Sequence, residues 1–88
     1  MELKDTVNGM LSEDFMQRFC AEYWQVLIRR EKLSKMINAY ANGKLPFEPK
    51  CSMHILIAQC AAMDAYLAIL AERAEIEGID LYTGRKEE

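Results

Sequence analysis

The chain holds a single histidine, two prolines and four glycines, with no glycine-rich loop of the kind that cradles phosphates. Its lone histidine, His54, stands beside Ser52 with no nucleophile at a telling offset, so it reads as a capping or surface residue. The three cysteines, Cys20, Cys51 and Cys60, are odd in number and lack metal-ligand spacing. No signal peptide is visible, and the thiols read as reduced groups in a cytoplasm, that of a host cell. No paired-carboxylate motif appears. With no cofactor, no metal site and no catalytic residue to name, the expectation is a protein that is not an enzyme. No run of 18 uncharged apolar residues occurs. Residues 55–71 come closest but contain Gln59 and Asp64, so no membrane partner is expected. The net charge of −3 is spread over both signs, which argues against a general nucleic-acid binder.

What the sequence does have is apolar residues at helical spacing. Hydrophobic residues make up 51% of a chain of 88, which is enough for one domain. A chain this short buries only about 60–65% of its unfolded surface. More apolar matter is present than a monomer of this size easily hides, which points to a homo-oligomer.

Phe19, Tyr23, Val26, Leu33, Ile37 and Tyr40 fall in 4-3 steps, the stripe of an amphipathic helix or of a coiled-coil seam. Arg30 occupies the one stripe position where an apolar side chain belongs. The fold class expected is all-α: a long antiparallel helical hairpin with helices over about 13–41 and 52–77. Ser12 reads as the first N-cap, with Glu13 and Asp14 in the first turn, and Asn42-Gly43 as the stop. Pro46 and Pro49 make the connector extended, and Leu45 and Phe47 pin it to the helices. Ser52 caps the second helix and Gly78 ends it, with Ile79 closing a contact onto the last turn. Residues 1–11 form an N-terminal arm or short helix, 12–83 the hairpin domain, and 84–88 a disordered tail.

The second helix carries three sets at seven-residue spacing: Leu56, Met63 and Leu70; Cys60, Leu67 and Ala74; Ile55, Ala62, Ile69 and Ile76. Ala58, Ala61, Ala65, Ala68 and Ala71 keep much of the remainder small. A helix apolar nearly all round is buried on several sides, so hairpins are expected to pack together around it.

Arg18, Gln25, Arg29 and Lys32 fall at i, i+7, i+11 and i+14, on one face beside the seam. Beside the aromatic Tyr23, these cations suit phosphate groups and a stacked base. The plainer alternative is a solvated face on which Glu22 pairs with Arg18 and Arg29. On the second helix Gln59 and Arg73 lie at the seam edge near Tyr66. Arg30 in the seam calls for Asp64 or Glu72 across an oligomer contact, or for a bound anion. Trp24 and Ile28 point away from both seam and basic stripe, as an exposed pair would for a partner interface.

One stretch resembles a family of small phage and prophage proteins known by relation to a crAss-like phage gene. The matching residues are Glu22-Tyr23, Arg29, Lys32-Leu33 and Tyr40, then Gly43, Leu45, Phe47, Pro49 and Cys51. On the second helix they are Gln59, Met63, Tyr66-Leu67, Leu70, Arg73-Ala74 and Ile76-Glu77-Gly78-Ile79. Arg30 lies outside the pattern. In size and helical-hairpin build the chain is also similar to phage sponges that oppose CBASS and Thoeris immunity. That resemblance implies an anti-defence protein holding a cyclic oligonucleotide or ADP-ribose-type signal between subunits, without cleaving it. Ligand contacts would then come from Arg18, Tyr23, Gln25, Arg29, Lys32, Gln59, Tyr66 and Arg73. Two alternatives stand beside it: a module that inhibits a host defence protein through Trp24 and Ile28, and a ligand-free structural accessory oligomer.

Overall fold

The computed structural model describes residues 1–86. After a 3-10 turn over Leu3–Thr6 come α1 (Val7–Met10), α2 (Phe15–Ala41), α3 (Met53–Glu77), β1 (Ile79–Asp80) and β2 (Arg85–Lys86). The protein is an antiparallel pair of long helices, 47 × 24 × 17 Å, with both chain ends folded back along it. The all-α expectation holds for the body of the molecule.

Helix α2 starts two residues later than expected. Asp14 caps it by accepting from the Met16 amide at 2.9 Å, while Ser12 Oγ accepts from the Asp14 amide at 3.1 Å. Both residues can cap, and the aspartate side chain reaches the first free amide of the helix. Helix α3 behaves as its sequence says. Ser52 Oγ accepts from the Ile55 amide, and Gly78 adopts the left-handed conformation at φ 68° that ends the helix. Ile79, just beyond, is buried against Phe19, Leu70 and Ala74, with Met16, Tyr23 and Leu81 around them.

The buried side of α3 is a strict 3-4 series: Met53, Leu56, Cys60, Met63, Leu67, Leu70 and Ala74. It meets the stripe of α2, so two of the three heptad sets lie in one seam. The third set does not: Ile55, Ile69 and Ile76 remain 59%, 57% and 77% exposed. By length and composition α3 is apolar enough to cross a membrane, and only 17% of that stretch is buried.

At the N-terminus the short-helix alternative is the one formed, whereas the C-terminal end departs from expectation. Residues 3–10 are ordered and pack along α2; a Cβ on Gly9 would sit 2.8 Å from Ala21 Cβ, so the arm approaches at glycine distance. The tail expected from residue 84 is instead paired: Ile79 aligns with Lys86 and Asp80 with Arg85. Gln17 Nε2 donates to the Gly84 carbonyl at 3.0 Å, which ties this small hairpin to α2. Residues 87 and 88 lie outside the described residues.

Candidate functional site

Numbering the seam of α2 as Met16, Phe19, Tyr23, Val26, Arg30, Leu33, Ile37 and Tyr40 assigns every other residue to a side of the hairpin. Glu22 and Arg29 each precede a seam residue, as do Gln59, Tyr66 and Arg73 on α3. In an antiparallel pair such positions face each other along one edge. The structure bears this out where Tyr66 Oη donates to Glu22 Oε2. Next along the same edge, the Arg73 guanidinium folds over the Phe19 ring of the seam, 4.9 Å from its centroid. One heptad further along, the same register sets Arg29 opposite Gln59. Arg18, Gln25 and Lys32 lie one helical row farther out on α2.

The edge thus gathers seven of the eight expected ligand residues from both helices. Tyr23, the eighth, is a partly buried seam residue packed on the core, with its ring edge-on to Trp24 at 5.9 Å. The expected stacking face of Tyr23 is therefore committed to the interior, and Tyr66, 42% exposed, is the aromatic on the edge itself.

The cations of this edge differ in how far they are engaged. Arg18 Nη1 donates to the Ser12 carbonyl at 2.8 Å and holds the turn before α2. Arg73 pairs with Glu77 at 3.6 Å, one turn on. Arg29 and Lys32 are exposed and form no ion pair among the described residues. Glu22 accepts a hydrogen bond from Tyr66 and forms no ion pair with Arg29 among the described residues. Sequence reasoning did not name Glu22 as Tyr66's partner, although the heptad offset of the two residues carries that signal.

Arg30 is resolved differently. Its Nε donates to Asp64 Oδ1 at 2.7 Å and its Nη2 to Asp64 Oδ2 at 3.2 Å. The partner is the expected carboxylate, but the pair closes within one hairpin, on the edge opposite the basic one. Both side chains stay open to water, so no buried charge needs a second subunit.

Trp24 and Ile28 are not an exposed pair. Ile28 is buried and Trp24 half-buried, and residues of the N-terminal arm line a cleft together with Trp24. Trp24 Nε1 donates to the Leu81 carbonyl at 2.8 Å, and Cys20 Sγ donates to the same oxygen at 2.6 Å. Tyr82 stands edge-on to the indole at 5.8 Å. A cleft of about 180 Å³ opens here, lined in part by Asp5, Thr6, Gln17, Trp24 and Tyr82. Its wall holds no lysine, arginine or histidine, so no arginine fork is there to bind a phosphate. Burial pushes the Cys20 thiol up from its ordinary value; the charge of Asp80 adds to this and the Trp24 hydrogen bond opposes it.

A family model described as Sequestin matches residues 13–76, which span both long helices and every residue of the basic edge. The chain belongs to the Sequestin family. The family's name speaks of sequestration, and a sequestering protein needs a recognition surface rather than reacting groups. No curated protein matches the chain, and no solved structure does. The matched residues begin after the N-terminal arm and end before Gly78 and the small β-hairpin.

Proposed function

We propose that this protein sequesters a nucleotide immune signal, a cyclic oligonucleotide or ADP-ribose-type molecule, without chemical change to it. It would act as a phage anti-defence protein in the cytoplasm of the infected cell, working as a homo-oligomer. One observation carries the reading: Arg29 and Lys32 stand unneutralised on an edge that also presents Arg18, Gln25, Gln59, Tyr66 and Arg73. Exposed cations without carboxylate partners are available to phosphate oxygens, and an arginine fork binds them in pairs. Tyr66 offers the edge an aromatic face against which a base can stack. The Sequestin family supports the holding role, and the resemblance to phage sponges supports the class of ligand.

The rival in which Trp24 and Ile28 grip a host protein loses support, because Ile28 is buried and the half-buried Trp24 indole is bonded to the Leu81 carbonyl. The test is a thermal-shift and calorimetric screen against cyclic di- and trinucleotides and cyclised ADP-ribose products. A ligand bound only by the folded state raises the melting temperature. Arg29→Ala should weaken the bound ligand at least about tenfold, which corresponds to about 1.4 kcal/mol. Its own melting temperature should be unchanged, since the side chain is exposed. Undiminished affinity in Arg29→Ala would remove the basic edge from the account.

A further inference from the structure

Helix α3 bears a second apolar stripe that no part of the hairpin covers. Ile55, Ala58, Ala62, Ala65, Ile69 and Ile76 follow the same 3-4 rhythm as the buried seam, and all are exposed. At 3.6 residues per turn this stripe lies roughly 160° around the helix from the seam. We infer that its occupant is a second copy of the chain, packed antiparallel, α3 on α3, with the two-fold axis beside Ala65 and Tyr66. The pairing joins the two basic edges into a single groove that takes one two-fold dinucleotide per two chains.

Three features favour this occupant and this direction. Size is self-complementary: reversal sets Ile69 of one copy over Ala62 of the other and Ile76 over Ile55, while the alanines around Ala65 let the helices approach closely near the axis. Charge is self-complementary as well. Glu72 and Glu75 mark the C-terminal end of the stripe, whereas Lys50, His54 and the positive end of the helix dipole mark its start. An antiparallel pair brings these ends together twice, and a parallel pair would stack glutamate on glutamate. A bilayer is the poorer occupant, because Glu72 interrupts the stripe and Asp64 is held by Arg30 halfway along the helix.

The groove follows from the same geometry. Gln59, Tyr66 and Arg73 lie in the narrower of the two angles between seam and stripe, so the assembly is concave on that side. Like edges face each other in an antiparallel pair, so the two Tyr66 rings meet near the axis. Gln59 of each copy then approaches Arg73 of the other. Arg29 and Lys32 of both copies form the rims. Such a groove offers two equivalent cationic rims and a central aromatic floor. The molecule that matches has two phosphodiesters related by a two-fold axis and two planar bases: a cyclic dinucleotide. This step rests on the sequestration reading, whereas the pairing itself does not.

Sedimentation equilibrium tests the pairing. The protein should weigh twice the 10.2 kDa of its chain, and Ala62→Glu should weigh 10.2 kDa with helicity unchanged. In a Cys51→Ser background, Ile55→Cys plus Ile76→Cys should oxidise to a covalent dimer, and neither single variant should. A monomeric parent protein, cross-linking by the single variants, or capture of the monomer by phosphatidylglycerol vesicles would overturn it. For the groove the probe is cyclic di-AMP. Calorimetry should give one ligand per two chains, with binding lost in Ala62→Glu. One ligand per chain, or full binding by monomeric Ala62→Glu, would overturn the shared groove while leaving sequestration standing. A dimer that binds no member of the nucleotide panel would sink sequestration and the groove together, and leave the pairing intact.

Discussion

Leu70 and Ile69 are neighbours on α3 with opposite surroundings, and truncating each to alanine separates the interior of the hairpin from its outer face. Leu70 is 1% exposed and sits among Phe19, Ala74 and Ile79. Removing three carbons there loses transfer energy and leaves a cavity, about 3 kcal/mol in all. In a domain of this size each kcal/mol moves the melting temperature by about 4–8 °C, so Leu70→Ala should fall by roughly 12–24 °C. That loss should not depend on protein concentration. Ile69 is 57% exposed, so truncation costs the single hairpin little. If α3 packs on its copy, each chain loses about 1 kcal/mol of burial, twice per symmetric pair. The dimer dissociation constant should rise about 30-fold. Its melting temperature should approach that of the parent as concentration rises. The assays are thermal melts over a hundredfold concentration range and sedimentation equilibrium on both variants. Equal, concentration-independent losses in the two would refute the division of α3 into a closed inner face and an open outer one.

Three further predictions concern the chain ends and the helix stop. Gly78→Ala forces a side chain into the left-handed conformation and should cost about 1 kcal/mol, lowering the melting temperature by roughly 4–8 °C. No neighbour crowds that position, so a larger fall would point to a contact absent from this fold. Gly9→Ala should lift the arm from Ala21, seen as faster proteolysis within residues 1–11 and altered Trp24 fluorescence; an unchanged cleavage rate would contradict the packing of the arm. The raised value of the Cys20 thiol has a definite sign: the folded state keeps the proton longer than the unfolded one. Its contribution is complete below the ordinary thiol value of 9.0 and is lost as pH climbs through the higher folded value. Cys20→Ser should flatten denaturation midpoints above pH 9 relative to the parent, and identical slopes would remove Cys20 as their cause.

The long helices were legible because their signals repeat. Phe19, Val26 and Leu33 on one helix and Leu56, Leu67 and Leu70 on the other announce a seam many times over. Ser52 and Gly78 mark the ends of α3 by chemistry that depends on one residue each. The basic edge was legible as a face of α2, and the offset of Gln59, Tyr66 and Arg73 placed them at the same border. What could not be read was anything that depends on short segments. A four-residue helix and two-residue strands carry no period, so neither the packing of the arm along α2 nor the pairing of residues 85 and 86 was visible. With those covers unseen, Trp24 looked exposed, although its indole is bonded to the Leu81 carbonyl. Arg30 shows the same limit in charge: its partner Asp64 was readable from residue type, but not whether the two meet within one chain.

The claim at the centre of this account is capture of a nucleotide without chemistry, and the direct measurement is recovery of the ligand. The protein is incubated with the nucleotide panel, freed of unbound material by dialysis and then heat-denatured, and the released small molecules are identified by mass spectrometry. One nucleotide should be retained through dialysis, should not be retained by Arg29→Ala, and should be released with its mass unchanged. An empty dialysate retentate, or a released product of altered mass, would contradict it.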